Sequence, residues 1–389
     1  MEITALTPEG FRNLAGGRIE FHPRLNLIVG DNGQGKTNLL EALAVVTGRP
    51  SFRTADLSET LRAGEPRVLL AAKIHRPEAA PADRDGHLGA RLSVGAREQF
   101  WNGERVSRLR ASRLAPVVFL TARDLTRYAG PPAERRRALD RAAQALDPEY
   151  GRDLAAYEKA RVSKTRLLAG RSRFDADELA VYEEAMATAG GRVAAARRRA
   201  VRILEKLLSG SAARLRSPFE DLRLEIASDL PAEGPVGLLA NALRARMTER
   251  AAEERRAGRC LAGPHRDDVV LTSGGAAVTT RVSSGENRTL VLAWTLAETA
   301  LVGDAVGTAP ALAFDDFDSE WDPGVLAAFA EALPEDAQIF LTSARPEAVR
   351  GLPLPAGVLL RMTRGRVSRD GILGAGRGGA IVQARAGER

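Results

Sequence analysis

Several kinds of residue are scarce in this chain, and each scarcity excludes a class of protein. It has a single cysteine, Cys260, so no disulfide can form within it, which fits a reducing cytoplasmic location. No apolar run reaches the roughly 18 residues that span a bilayer, and the first residues are too polar for a signal peptide. The four histidines are scattered, without the spacing of metal ligands: His22, His75, His87 and His265. We therefore expect a cytoplasmic protein with no membrane segment and no disulfide framework.

Aromatic residues and lysines are also few. Aromatics make up 5% of the chain, which gives little material for stacking nucleic-acid bases. Only five of the 57 basic residues are lysine, so the net charge of +7 comes from arginine. This excess favours an acidic partner, of which nucleic acid is the commonest, although a compositional bias of the genome is an alternative cause. The 389 residues suffice for two or three domains.

One segment carries a specific motif for phosphate binding. Residues 30–37 read GDNGQGKT and lie between an apolar run at 25–29 and a helical pattern at 38–46. In this setting the glycines let the backbone wrap around an anion, and the N–H groups of the loop point at the phosphates. Lys36 is expected to reach the β- and γ-phosphates, and Thr37 to bind Mg²⁺. The predicted nucleotide-binding residues are Gly30, Asp31, Asn32, Gly33, Gln34, Gly35, Lys36 and Thr37. An ordinary glycine-rich turn is the alternative.

A second segment supplies the acidic groups that such a loop needs. Residues 311–314 form an apolar run typical of a buried strand, and Asp315 and Asp316 follow it directly. Asp315 is predicted to hold the Mg²⁺ ion, and Asp316 to orient or deprotonate the attacking water. We expect this strand to neighbour the one that precedes the loop.

Composition divides the chain into four parts. Residues 1–122 show short strands, with a hairpin turn at Asn102-Gly103 and a loop at 76–89. Residues 123–258 are rich in Ala, Arg, Glu and Leu, and predict helices at 133–146, 148–168, 177–208 and 236–257, with a strand at 217–227. Strand character returns in 259–370, and 371–389 is predicted to be a disordered tail.

The order of these features resembles an ABC-type ATPase head of the SMC-like class with an inserted helical lobe, which is an α/β fold. A Ser-x-Gly turn at Ser283 opens the helix 289–301, ahead of the acidic strand. In such heads this turn caps the γ-phosphate bound by a second copy, so the resemblance implies a catalytic role for Ser283 in trans and an ATP-dependent homodimer. A plain helix cap is the alternative.

Five local stretches narrow the resemblance to the RecF family of bacterial DNA replication and repair proteins. They are FRNL at 11–14, GDNGQGKTNLLEAL at 30–43, SFRT at 51–54, GPP-x₂-RRR-x₂-LD at 130–140 and GPHRDD at 263–268. The resemblance implies ATP and Mg²⁺ as cofactors, a nucleotide contact from Arg12, and binding to double-stranded and gapped DNA. It also implies loading of the RecA recombinase together with RecR and RecO. The chain departs from the family pattern at Glu286, where Gln is usual, and at residues 121–125.

Two groups of arginines have the spacing of phosphate-binding helix faces. They are Arg135, Arg136, Arg137 and Arg141 in one helix, and Arg192, Arg197, Arg198, Arg199 and Arg202 in another. Solvated faces balanced by Glu are the alternative. His265 and its neighbours are expected to form a hydrogen-bonded turn. The rival functions are an SMC- or RecN-like repair ATPase, disfavoured by the short insertion, an OLD-type nuclease, and a non-catalytic DNA-binding scaffold.

Overall fold

The chain folds into two compact units. The computed structural model describes residues 1–81, 84–126, 128, 130–170, 176–278, 282–317, 321–349, 351–374 and 381–383. Unit 1 comprises Met1–Leu125, Ser211–Ser217 and Ser284–Arg389, and unit 2 comprises Thr126–Gly210 and Pro218–Ser283. Unit 2 therefore extends further than the predicted return to the head at residue 259, because the strands that follow Cys260 pair with a strand of unit 2.

The described secondary structure consists of the following elements. The strands are β1 (Glu2–Glu9), β2 (Ile19–Glu20), β3 (Leu25–Val29), β4 (Val68–His75), β5 (Asp85–Ser93), β6 (Ala96–Trp101), β7 (Glu104–Val106), β8 (Val117–Leu120), β9 (Arg223–Ala227), β10 (Asp268–Ser273), β11 (Ala276–Ala277), β12 (Ala311–Phe314), β13 (Ile339–Ser343), β14 (Gly357–Thr363), β15 (Arg366–Leu373) and β16 (Ile381–Gln383). The helices are α1 (Lys36–Val46), α2 (Arg108–Leu114), α3 (Pro132–Leu146), α4 (Tyr150–Ala169), α5 (Ala176–Arg214), α6 (Val236–Ala257), α7 (Ser284–Val306) and α8 (Pro323–Ala332).

A seven-stranded sheet forms the centre of unit 1. Its strand order is β16-β15-β14-β3-β13-β12-β8, and the five strands from β14 to β8 are parallel. Every residue of β3, β12 and β13 is buried, as the continuous apolar runs predict for parallel strands covered on both faces. The carboxyl ends of these strands consequently meet at one edge of the sheet, where β3 leads into α1.

A six-stranded antiparallel sheet, β2-β1-β4-β5-β6-β7, packs on the other side of α1. Helix α1 is buried on almost all sides because residues of both sheets share its hydrophobic core. The predicted hairpin turn is confirmed: Asn102 and Gly103 have φ angles of 50° and 87°. The predicted loop at 76–89 is too long, since β5 begins at Asp85 and pairs with β4.

Among its described residues, unit 2 contains four α-helices, α3 to α6, and the small sheet β11-β10-β9. The four helices predicted from composition are present. Helix α5 continues to Arg214, beyond the predicted end at 208, and its last turn belongs to unit 1. The strand predicted at 217–227 is shorter, since β9 begins at Arg223.

The structure places one long apolar helix in the core and contradicts the expectation of a disordered tail. Helix α7 is long and apolar enough to cross a membrane, but most of that stretch is buried inside the protein, so core packing accounts for its composition. The tail predicted as disordered from residue 371 includes the end of β15 and all of β16, which pair antiparallel at the sheet edge. Backbone hydrogen bonds there replace the side-chain packing that the composition lacks. Residues 375–380 and 384–389 of the tail lie outside the described residues.

Candidate functional site

The glycine-rich loop connects β3 to α1 at the carboxyl edge of the central sheet. Gly33 and Gly35 have φ angles of 80° and 116°, in the left-handed region that favours glycine. A Cβ at Gly33 meets no atom within 4 Å, so this turn faces open space. Within this fully described stretch, α1 has no side-chain cap and no acidic residue in its first turn. Its N-terminal N–H groups and its dipole are therefore available to an anion.

Lys36 stands at the start of this helix and bends back over the loop. Its Nζ atom donates hydrogen bonds to the carbonyl oxygens of Gly30, at 2.6 Å, and Asp31, at 3.1 Å. The lysine residue is only 4% exposed. The ammonium group is thus fixed at the loop, where it is positioned to meet the phosphates of a nucleotide.

Thr37 and Asp315 meet at the edge of the sheet. The Thr37 hydroxyl donates to Asp315 Oδ1 at 3.0 Å, and Thr342 Oγ1 donates to the same oxygen at 2.8 Å. We expected the strand that carries Asp315, β12, to lie beside β3, the strand before the loop. This expectation is wrong, because β13 lies between them. Thr342, at the end of β13, fills the gap and was missed by the sequence analysis. A buried hydroxyl that closes an apolar strand was its available signal.

The two carboxylates occupy different environments. Burial raises the pKa of Asp315, and the neighbouring charge of Asp316 raises it further, against hydrogen bonds from Thr342 and Thr37 that lower it. Asp316 is exposed, and its φ angle of 50° places a non-glycine residue in the left-handed region. Such strained residues are concentrated at functional sites. The hydroxyl and carboxylate oxygens of Thr37 and Asp315 are of the type that Mg²⁺ prefers, so this pair fits the ion.

Contacts distant in sequence hold the outer side of the loop. The Asn13 side-chain amide donates to the carbonyls of Gly33 and Gln34, at 3.3 and 3.2 Å. From the turn between β14 and β15, the Gly365 N–H donates to the Gln34 carbonyl at 2.9 Å, and the Arg364 N–H to the Gln34 side chain at 2.5 Å. These partners keep the loop carbonyls turned away from its N–H face. None of the three was predicted from the sequence.

Arg12, which the resemblance assigned to the nucleotide, is engaged by Glu41 in this structure. Its Nη2 donates to Glu41 Oε1 at 2.8 Å, and its Nε pairs with the other carboxylate oxygen. Glu41 is fully buried and also accepts a hydrogen bond from Ser51 at 2.6 Å. The guanidinium is thus held one turn of α1 beyond Thr37, by a partner that the sequence analysis did not identify.

The Ser-x-Gly turn begins α7. Ser283 directly precedes this helix, and Ser283, Ser284 and Gly285 are exposed. The helix also includes Glu286 in its first turn. The Asn287 side chain donates to the carbonyl of Leu125 at 2.5 Å, which joins the helix to the unusual 121–125 segment. Trp321 is half-buried, and residues 318–320 lie outside the described part of the chain.

Most of the arginines predicted to face DNA are occupied elsewhere. Arg135, Arg197 and Arg198 are buried, so the prediction is wrong for them. Arg135 forms a bidentate pair with Asp268, with both distances at 2.8 Å. Arg198 donates to the backbone carbonyls of residues 230–232. Arg136, Arg137 and Arg192 also have partners, whereas Arg199 and Arg202 are exposed. Helical spacing alone did not reveal which of these side chains are exposed.

His265 lies in the expected hydrogen-bonded turn. Its Nδ1 is 2.6 Å from the Tyr157 hydroxyl, and its Nε2 is 3.3 Å from the Cys260 carbonyl. Burial lowers the pKa of His265 to about 4. Among the described residues, no group of His, Cys, Asp and Glu side chains has the arrangement of a metal site.

The parallel sheet, the phosphate loop and the Thr37–Asp315 pair together define an α/β ATPase head of the ABC type. The profile of the RecF/RecN/SMC N-terminal domain matches residues 2–365. The chain is 33% identical over 356 residues to the DNA replication and repair protein RecF of Mesorhizobium japonicum, covering 87% of this chain and 90% of that one. It is 33% identical over 380 residues to RecF of Symbiobacterium thermophilum, covering 95% and 99%. The chain belongs to the RecF family.

Solved structures agree with this assignment. The recombination mediator protein RecF with ATP, from the RecFOR pathway, has a TM-score of 0.82 at 25% identity over 95% of this chain and 97% of that one. An Smc head bound to a domain of ScpA has a TM-score of 0.55 at 17% identity, over 96% of this chain and 98% of that one, which supports the fold alone.

Proposed function

We propose that this chain is an ATP-dependent DNA-binding protein of replication and recombinational repair. The observation that carries the proposal is the convergence of Lys36, Thr37 and Asp315 at an uncapped helix N-terminus. This arrangement suits a nucleoside triphosphate with Mg²⁺. The RecF relatives and the solved RecF–ATP structure support the same ligand.

In the proposed site, each residue has a defined task. The loop N–H groups and Lys36 bind the phosphates, and Thr37 and Asp315 hold the Mg²⁺ ion, which neutralises phosphate charge when bound. Asp316, exposed beside Asp315, orients the attacking water and accepts its proton. The hydrolysis is slow and is coupled to DNA binding.

The site is completed by a second copy of the chain. The Ser283 hydroxyl and the N–H groups at the exposed start of α7 are suited to contact a phosphate. ATP therefore joins two heads, with Ser283 of one protomer against the loop of its partner. Two copies then hold DNA as a clamp at double-stranded and gapped sites, and act with RecR and RecO to load the RecA recombinase.

Sedimentation velocity with and without ATP and Mg²⁺ tests this proposal. We expect the wild-type mass to double with ATP, and Lys36→Ala to remain a monomer that binds no nucleotide. Ser283→Arg is expected to bind ATP but not dimerise, while Asp316→Asn accumulates the dimer. Ser368→Arg, at an exposed serine of β15, is the matched control and should dimerise normally. An unchanged wild-type mass with bound ATP would refute the clamp.

An ATPase assay with and without gapped DNA separates this function from a non-catalytic scaffold. Glu286 motivates the comparison, because an additional carboxylate in the first turn of α7 opposes a neighbouring phosphate. We expect turnover that DNA stimulates and that Asp316→Asn abolishes. DNA binding without any ATP turnover would favour the scaffold.

A further inference from the structure

Helix α5 presents a row of cations to solvent. Arg199, Arg202 and Lys206 are exposed and lie three and four residues apart, so they share one face of the helix. Among the described residues, none of the three has an ion pair or a hydrogen bond from its side chain. The row covers about 10 Å along the helix axis.

The opposite side of the same helix is fixed to the interior of unit 2. Arg197, on that side, donates to the Pro264 carbonyl at 2.6 Å and to Asp140 at 2.8 Å. Leu204 and Leu208 are buried on that side. The exposed row is consequently carried by a rigid helix, which keeps its three charges in register.

The chemistry of the exposed face fits a polyanion. Between residues 195 and 213 the only carboxylate is Glu205, which accepts the Leu224 N–H at 2.9 Å and pairs with Arg223. The face continues into the small exposed residues Ser209 and Gly210, which leave room for close approach. No aromatic residue occurs between 195 and 213, so the face has no platform for stacking bases.

We propose that Arg199, Arg202 and Lys206 bind the phosphate backbone of duplex DNA. This inference rests on the proposed function, since it locates the DNA contact that function requires. Duplex DNA carries one charge per about 1.7 Å of its axis, so the row faces about six phosphates, enough for each cation to find a partner. Contacts of this kind position DNA without reading its sequence.

Helix α4 offers a useful contrast. Lys159 and Arg166 are exposed there, seven residues apart, with the exposed Val162 between them. That face has two cations over the length in which α5 has three, and its third basic residue, Arg152, pairs with Glu149 at 2.7 Å. The density of unpaired charge therefore favours α5.

Fluorescence anisotropy of a labelled blunt DNA duplex, in ATP and Mg²⁺ over a series of NaCl concentrations, tests the assignment. For the variant Arg199→Gln/Arg202→Gln/Lys206→Gln we expect affinity to fall about tenfold or more, and the slope of log affinity against log salt to shrink by about 2.7. The charge-retaining Arg199→Lys/Arg202→Lys should bind as the wild type does. Thermal unfolding and the ATP-dependent mass of each variant report on folding and on the head.

The matched control removes the same charge elsewhere in unit 2. Lys159→Gln/Arg166→Gln/Arg256→Gln changes three exposed cations on α4 and α6 and should keep the wild-type affinity and slope. If this control weakens binding as much as the α5 variant, or if the α5 variant binds normally, the assignment is overturned while the proposed function survives. If the wild type binds no duplex, or binds only anionic phosphatidylserine vesicles, both fail.

Discussion

The Thr37 hydroxyl donates a hydrogen bond to Asp315 Oδ1 over 3.0 Å, across 278 positions of sequence. The contact exists because β3 and β12 are parallel members of one sheet, so both residues follow strands that end at the same edge. Thr342, from the strand between them, donates to the same oxygen at 2.8 Å. Asp315 is thus oriented by two hydroxyls, and the side chain that would hold Mg²⁺ is set before any ligand arrives.

Replacing Asp315 with Asn should abolish the effect of Mg²⁺ on ATP binding. The substitution keeps the size of the side chain but removes the charge that attracts the ion, and charge-assisted contacts contribute about 1.5–3 kcal/mol. We expect ATP affinity in Mg²⁺ to fall about tenfold to a hundredfold, measured by titration calorimetry with Mg²⁺ and with EDTA. Asp322→Asn, at the N-cap of α8, is the control. An Asp315→Asn protein that still gains affinity from Mg²⁺ would contradict the assignment.

A methyl group at Gly365 should loosen the phosphate loop. A Cβ there lies 1.8 Å from the Asn13 carbonyl oxygen, and the φ angle of 78° is itself unfavourable for alanine. We expect Gly365→Ala to cost about 1–3 kcal/mol of stability and to weaken ATP binding, because the Gly365 N–H no longer reaches Gln34. Gly237→Ala, where a Cβ meets nothing within 4 Å, should leave ATP affinity unchanged. Wild-type ATP affinity in Gly365→Ala would show that the turn does not position the loop.

The sequence predicted the elements of the site whose signals are local. The loop at 30–37, its flanking strand and helix, and the apolar run before Asp315 all depend on neighbouring residues, so pattern sufficed. The contact of Gly365 with Gln34 was not predictable in this way, because it joins residues 331 positions apart through the placement of β14 beside β3. The same limitation hid Thr342, whose role depends on the strand order.

The prediction that the arginine clusters face DNA was wrong in part, for a different physical reason. Helical periodicity shows which residues share a face, but it does not show whether that face is buried or exposed to solvent. Arg197 and Arg199 are two positions apart, yet one is buried against Asp140 and Asp267 and the other is exposed. The carboxylates that bury Arg197 come from α3 and from the turn before β10, which no local pattern connects to α5.

Removing the Arg197 guanidinium should destabilise the protein far more than removing that of Arg199. Arg197→Met leaves Asp140 and Asp267 without their shared partner, and burial already raises the pKa of Asp267. Breaking a buried ion pair on one side costs about 3–5 kcal/mol. Arg199→Met, at an exposed site, should change stability by less than about 0.5 kcal/mol. Urea unfolding of both variants measures the difference, and equal midpoints would show that the buried network contributes little.

His265 should make the protein less stable as the pH decreases. Its ring is neutral when folded: Nε2–H donates to the Cys260 carbonyl, and Nδ1 accepts from the Tyr157 hydroxyl. Burial lowers its pKa to about 4, and three nearby cations act in the same direction: Arg136, Arg161 and Arg266. Below the ordinary pKa near 6.5 the unfolded chain therefore binds a proton that the folded chain does not.

The stabilisation is present above about pH 6.5 and is lost as the pH falls towards about 4. Between pH 7.5 and 5 this group should remove about 2 kcal/mol from the free energy of unfolding. His265→Gln lacks the titrating ring, so its free energy of unfolding should be lower at pH 7.5 but should change less over the same interval, once the shared carboxylate contribution is subtracted. Urea unfolding at both pH values gives the comparison. Parallel pH profiles for the two proteins would mean that the ring is protonated in the folded state, and that Tyr157 accepts rather than donates in their hydrogen bond.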